Sequence, residues 1–169
     1  MRRRSVYGLS MRLFCSSLLL SWTVTGGLVA SALAQKKDIA VAVNLNNAVA
    51  NVSLTDLRKI FAGEKRTWPG GAPVKLIVRG ANCRERQTLL RLLGMSESEY
   101  KQYWTAQVFR GDAAAEPLTV PSFGMVKEAI KIFPGAIAFV DAQEVKPGMD
   151  LKVIRVEGRL PGDDGYPVH

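Results

Sequence analysis

The chain has 169 residues, with 23 Lys and Arg against 15 Asp and Glu, two Cys and one His. That length suits one domain of ordinary size. An apolar fraction of 47% with 22% charged residues excludes global disorder, and two cysteines exclude a disulfide-stapled scaffold. The single His, His169, is the last residue, which speaks against a His-ligated zinc centre and against a His-based catalytic triad, since both need an ordered imidazole.

The first segment reads as an address. Arg2, Arg3, Arg4 and Arg12 precede an apolar run from Leu13 to Val29, and the run closes on Ala32-Leu33-Ala34. A basic front, an apolar middle and a small-residue exit predict a secretory signal peptide over residues 1–34. Met11 is an alternative start. The competing reading is an uncleaved membrane anchor, because 13–34 is just long enough to span a bilayer. Removing the first 34 of the 169 residues leaves 135, and four Arg leave with them, so the net charge falls from +8 to +4. The remaining excess is mild and scattered, so nucleic acid is not an expected partner. Cys15 goes with the leader, and Cys83 is left without an internal partner in an oxidising compartment.

The elements of the remaining chain alternate in type. Ile39 to Val43 is an apolar run ending at a turn, Asn44-Leu45-Asn46-Asn47. Ser53 caps a helix carrying Leu54, Leu57, Ile60 and Phe61 on one face, and Gly63 stops it. Trp68-Pro69-Gly70-Gly71 is a turn, and Val74 to Val78 a second strand. Asn82 is expected to cap the next helix, with Glu85 completing a capping box. Leu89, Leu92 and Leu93 form its buried stripe, closed by Gly94. Ser96-Glu97-Ser98-Glu99 is a full capping box. Behind it Tyr100, Tyr103, Trp104 and Val108 repeat at helical spacing and are expected to pack in the core. Residues 111–121 read as a loop. Ser122 to Phe133 is an amphipathic helix ended by Pro134-Gly135. Ala136 to Val140 is a third strand, too apolar for a wet edge, and Leu151 to Val156 a fourth. The Gly-, Pro- and Asp-rich tail, 158–169, is expected to fray. The order predicts an α/β fold, a small mixed sheet flanked by helices, over 35–157.

Candidate chemistry gathers at Val78-Arg79-Gly80-Ala81-Asn82-Cys83-Arg84. A strand delivers an Arg, a small-residue turn follows, and a helix begins. The first helical turn has unpaired N–H groups and the positive end of the dipole, so a guanidinium beside it suits a tetrahedral anion. The candidate ligand-binding residues are Arg79, Asn82, Cys83 and Arg84. The bland alternative is a surface Arg, a capping Asn and a solvated charge. Asp56, Glu64, Asp112, Glu116 and Asp141 are available carboxylates, but no pair has a defining spacing, so no enzyme is expected. No metal site or cofactor is expected either.

The text from Ile39 to Val140 resembles the short members of the phosphate-binding-protein-like family, relatives of the type 2 periplasmic solute receptors of ABC transporters. The matching pieces are the strand ending in Asn44, Leu54-Thr55-Asp56-Leu57-Arg58-Lys59-Ile60-Phe61-Ala62-Gly63, Trp68, Leu92-Leu93-Gly94-Met95-Ser96, Tyr100-Lys101-Gln102-Tyr103-Trp104, Phe109-Arg110-Gly111, Pro117, and Phe133-Pro134-Gly135-Ala136-Ile137-Ala138-Phe139-Val140. The resemblance implies one lobe of a periplasmic-binding-protein fold, a periplasmic location and a non-catalytic role in solute binding. The implied ligand is phosphate or another small oxyanion, and the implied partner an inner-membrane transporter. In the family an Arg after a strand and a Ser-Gly-Thr at a helix start hold phosphate. Arg79 matches the Arg, while the Ser-Gly-Thr register falls on Cys83-Arg84-Glu85, and the family's Gly-Tyr falls on Ala138-Phe139. The alternative function is an envelope interaction or sensor-accessory module without a ligand.

Overall fold

The computed structural model describes residues 38–169; the expected leader, 1–34, lies outside them. Ten elements follow in order: β1 (Ile39–Asn44), β2 (Asn51–Val52), α1 (Leu54–Phe61), β3 (Lys75–Arg79), α2 (Arg84–Leu93), α3 (Glu97–Phe109), β4 (Leu118–Val120), α4 (Phe123–Ile132), β5 (Ala136–Asp141) and β6 (Leu151–Val156). The strands form one six-stranded mixed sheet in the order β2-β6-β1-β5-β3-β4. β1 runs antiparallel to both of its neighbours, β5 and β6. β3 runs parallel to β4 and β5. The architecture is the expected α/β class.

Alternation along the strands builds two cores. Ile39, Val41, Val43, Leu76, Val78, Ile137 and Phe139 face α1, α2 and α3, with Leu57, Ile60, Phe61, Leu89 and Trp104 packed on them. Ala40, Ala42, Ile77, Ala136, Ala138 and Val140 face α4, which contributes Val126, Ala129 and Ile130. Small alanines on that face let a single helix sit close, while the larger face is filled by aromatics. Phe61 and Phe139 stack there with ring centroids 4.5 Å apart. β5 is buried over Ala136–Val140, in keeping with a strand covered on both faces.

Serine caps place three helices where the sequence predicts them. The side chains of Ser53, Ser96 and Ser122 accept from the backbone N–H of Asp56, Glu99 and Met125. The Glu99 carboxylate closes the capping box by accepting from Ser96 N at 2.7 Å. Asn44 ties the sheet to α4: its Nδ2 donates to the carbonyls of Ile130 and Lys131, at 2.7 and 3.1 Å, near the end of that helix.

Three expectations are corrected. The loop over 111–121 contains β4, which is a strand by virtue of its pairing with β3. Asn82 does not cap α2. It takes a left-handed φ of 67°, a conformation Asn tolerates better than most residues, and so makes the turn; Cys83 is the N-cap and makes no side-chain cap bond. The tail does not fray. Tyr166 and Val168 are buried beside the first strand, Val168 O accepts from Ile39 N at 3.0 Å, and Gly162 N donates to Asp38 at 2.7 Å. Two apolar side chains spaced two apart outweigh the loop-like composition around them.

Candidate functional site

Parallel β3 and β5 end at the same edge of the sheet, and a crevice outside the carboxyl ends of parallel strands is where open α/β sheets collect ligands. β3 ends on Arg79 and β5 on Asp141. The turn 80–83 then leads into α2, whose first turn carries Arg84 and Glu85. The structure therefore brings Arg79, Cys83 and Arg84 to one edge. Asn82 is exposed on the turn.

Both guanidiniums meet carboxylates of the same chain. Arg79 Nη1 lies 3.7 Å from Glu85 Oε1, with the two side chains only 15% and 7% exposed. The contact is an ion pair without hydrogen-bond geometry. Arg79 Nε and Nη1 are shut away from water and have no hydrogen-bond partner. Arg84 Nη1 pairs with Asp141 Oδ2 at 2.7 Å, while Asp141 Oδ1 accepts from Gln143 N at 2.9 Å. Glu144 joins the cluster: partial burial, then the charges of Glu85 and Asp141, raise its pKa above the ordinary carboxylate value, and Arg79 opposes the rise. Two cations and three carboxylates share this edge, so its field is not that of an open anion cradle. The strand-exit Arg was visible in the sequence; the closing of Glu85 on it was not, and the only hint was an acid where the family register has a hydroxyl.

The Cys83 thiol donates to Gly80 O at 3.2 Å. Burial, foremost, raises its pKa, so the position behaves as a packed thiol and not as an activated thiolate. Among the described residues no group of three or more His, Cys, Asp or Glu is arranged to hold a metal ion. Among them too, no helix is long and apolar enough to cross a membrane.

A family model described as a PBP superfamily domain matches residues 22–158. Among solved structures, an ABC-type phosphate transport receptor from Vibrio cholerae is similar at 22% identity and a TM-score of 0.59, over 74% of this chain and 48% of that one. A phosphate-bound protein from Clostridium perfringens is similar at 18% identity and a TM-score of 0.62, over 78% of this chain and 52% of that one. PstS from Borrelia burgdorferi is similar at 19% identity and a TM-score of 0.57, over 74% and 49%. At these identities the likeness is one of fold, and the chain spans about half the length of each of these proteins. No curated protein sequence matches the chain.

Proposed function

The chain belongs to the PBP superfamily, and from that premise we propose a non-catalytic, solute-binding role in the periplasm: weak capture of phosphate or another small oxyanion at the exits of β3 and β5, in the service of phosphate ABC transport. One observation carries the reading. Arg79 is a largely buried guanidinium beside a helix start, and its Nε and Nη1 lack hydrogen-bond partners. Buried N–H donors without acceptors favour an incoming oxyanion. Glu85 explains why capture is weak. It competes for the same guanidinium from within the chain, and a dianion must also approach Asp141 and Glu144.

A titration tests this. Thermal-shift measurements with phosphate, sulfate and nitrate should show a saturable shift for one anion in the millimolar range, since stabilisation follows RT ln(1 + [L]/Kd). Glu85→Gln should strengthen binding and Arg79→Ala abolish it. An equal shift from every salt, or no saturable shift in either the wild type or Glu85→Gln, sinks the reading.

The internal pairs themselves favour a second reading. Arg79 and Arg84 both have counter-charges within the chain, as expected of an envelope interaction or sensor-accessory module that has lost its ligand. A partner captured from envelope extract equally well by wild type and Arg79→Ala, with no anion response, supports this second reading.

A further inference from the structure

At the start of α2 and along α3 three buried side chains converge. Arg86 comes from the first turn of α2, and Tyr100 and Trp104 from successive turns of α3. They are 6%, 4% and 4% exposed. Arg86 Nη1, the Tyr100 hydroxyl and Trp104 Nε1 are each buried without a hydrogen-bond partner. The Tyr100 hydroxyl lies near enough to Arg86 and Trp104 for hydrogen bonding from both to oppose the rise that burial causes in its pKa, but no pair of these atoms reaches good hydrogen-bond geometry. All three side chains line one cavity of about 170 Å³, beside Ala81, Pro117 and Thr119.

Each of the three is held in place. Glu97 grips the other nitrogens of Arg86, accepting from Nε at 3.0 Å and from Nη2 at 2.7 Å. The guanidinium lies over the Tyr100 ring, 4.0 Å from its centroid. The Trp104 indole is wedged between Tyr103, edge-on at 5.7 Å, and Gly63, where an added Cβ would come within 2.6 Å of the ring. Burial pushes the Tyr100 pKa up to about 12, so the phenol keeps its proton.

We propose that this cavity is a ligand site for a short-chain carboxylate. Two of the three atoms can only donate; the phenol oxygen can accept from a neighbour, but the phenol still has a proton to donate. A carboxylate only accepts, and its two oxygens offer enough lone pairs for all three. Water is a poorer match, because it brings its own hydrogens and the space exceeds the roughly 30 Å³ share of one molecule. Charge favours a monoanion over a dianion. The lining contains Arg86 and Lys101 against Glu97 and Glu116, and both carboxylates already accept hydrogen bonds, Glu97 from Arg86 and Glu116 from Thr105 at 3.3 Å. The site is independent of Arg79 and of the function proposed above.

The test is a titration of the purified protein with acetate, read by tryptophan fluorescence and thermal shift. Acetamide is the neutral isostere and chloride the ionic control. The expected result is a saturable response to acetate alone. Tyr100→Phe and Trp104→Phe should each weaken it about tenfold, the loss of one hydrogen bond to a charged acceptor. Arg79→Ala should leave it unchanged, which separates this site from the strand-exit site. No saturable response of the wild type to acetate overturns the proposal, whether or not the variants fold. So does an equal response to acetamide or chloride, or unchanged acetate affinity in both folded variants.

Discussion

The Tyr166 hydroxyl donates to the Ile39 carbonyl at 2.9 Å, bridging 127 positions of sequence. Ile39 N in turn donates to Val168 O, so the end of the chain is stitched to both backbone groups of the residue that opens the sheet. Tyr166→Phe should cost about 1 kcal/mol, the net worth of a buried hydrogen bond. Tyr166→Ala should cost about 3–5 kcal/mol, because it also leaves a cavity. Urea unfolding measures both, and an unchanged midpoint for Tyr166→Ala would show that the tail contributes nothing.

Gly135 has no room for a side chain. A Cβ there would stand 1.8 Å from Pro73 O, and the Gly135 carbonyl accepts both Trp68 Nε1 and Lys75 N at 2.9 Å. Gly135→Ala must push the 73–75 segment away from the start of β5. The expected loss is about 3 kcal/mol, visible as a lower thermal midpoint. A variant as stable as wild type would mean that this segment yields freely.

Acid should weaken the α2–α3 contact. Hydrogen bonding to Arg86 holds the Glu97 carboxyl below its ordinary value of 4.5. The unfolded chain therefore binds the proton more readily than the folded one. The contribution is complete above the ordinary value and is lost as pH falls through the lower, folded value. Glu97→Gln should be less stable at neutral pH, and its deficit should shrink on acidification. Thermal midpoints from neutral pH down to about pH 3 test this; parallel curves contradict it.

Glu144 should show the opposite sign. Its pKa is raised, by partial burial first and then by Glu85 and Asp141, so the folded state prefers it protonated and is penalised when it ionises. Glu144→Gln should stabilise the protein at neutral pH, and the gain should vanish below the ordinary carboxylate value. The same substitution should tighten any anion response that depends on Arg79. A neutral or destabilising effect would show that these carboxylates do not feel one another.

Sequence legibility followed local chemistry. Ser53, Ser96 and Ser122 marked their helices because a cap is a bond between neighbours in the chain. β2 and β4, at two and three residues, carry too little pattern to register; partners far along the chain define them. Asn82 misled because the same short polar side chain suits a cap and a left-handed turn. Tyr166 was hidden inside a composition typical of loops. At the candidate site, the arrival of Arg79 at a strand end was legible, but the closure of Glu85 onto it depends on the turn between them. Tyr100 and Trp104 were readable as a helical stripe; nothing local announced that Arg86 would lie across the tyrosine ring.

The central place of β1 bears on how the chain is made. Its hydrogen-bonding neighbours, β5 and β6, are encoded roughly a hundred residues later, so at ribosomal speeds of about 5–20 residues per second the first strand waits about 5–20 seconds for any partner. Such distant pairings rank among the slow steps of folding. During that interval Ile39–Val43 is a bare, uncharged stretch of strand-forming sequence, the kind of segment that a holding chaperone would bind.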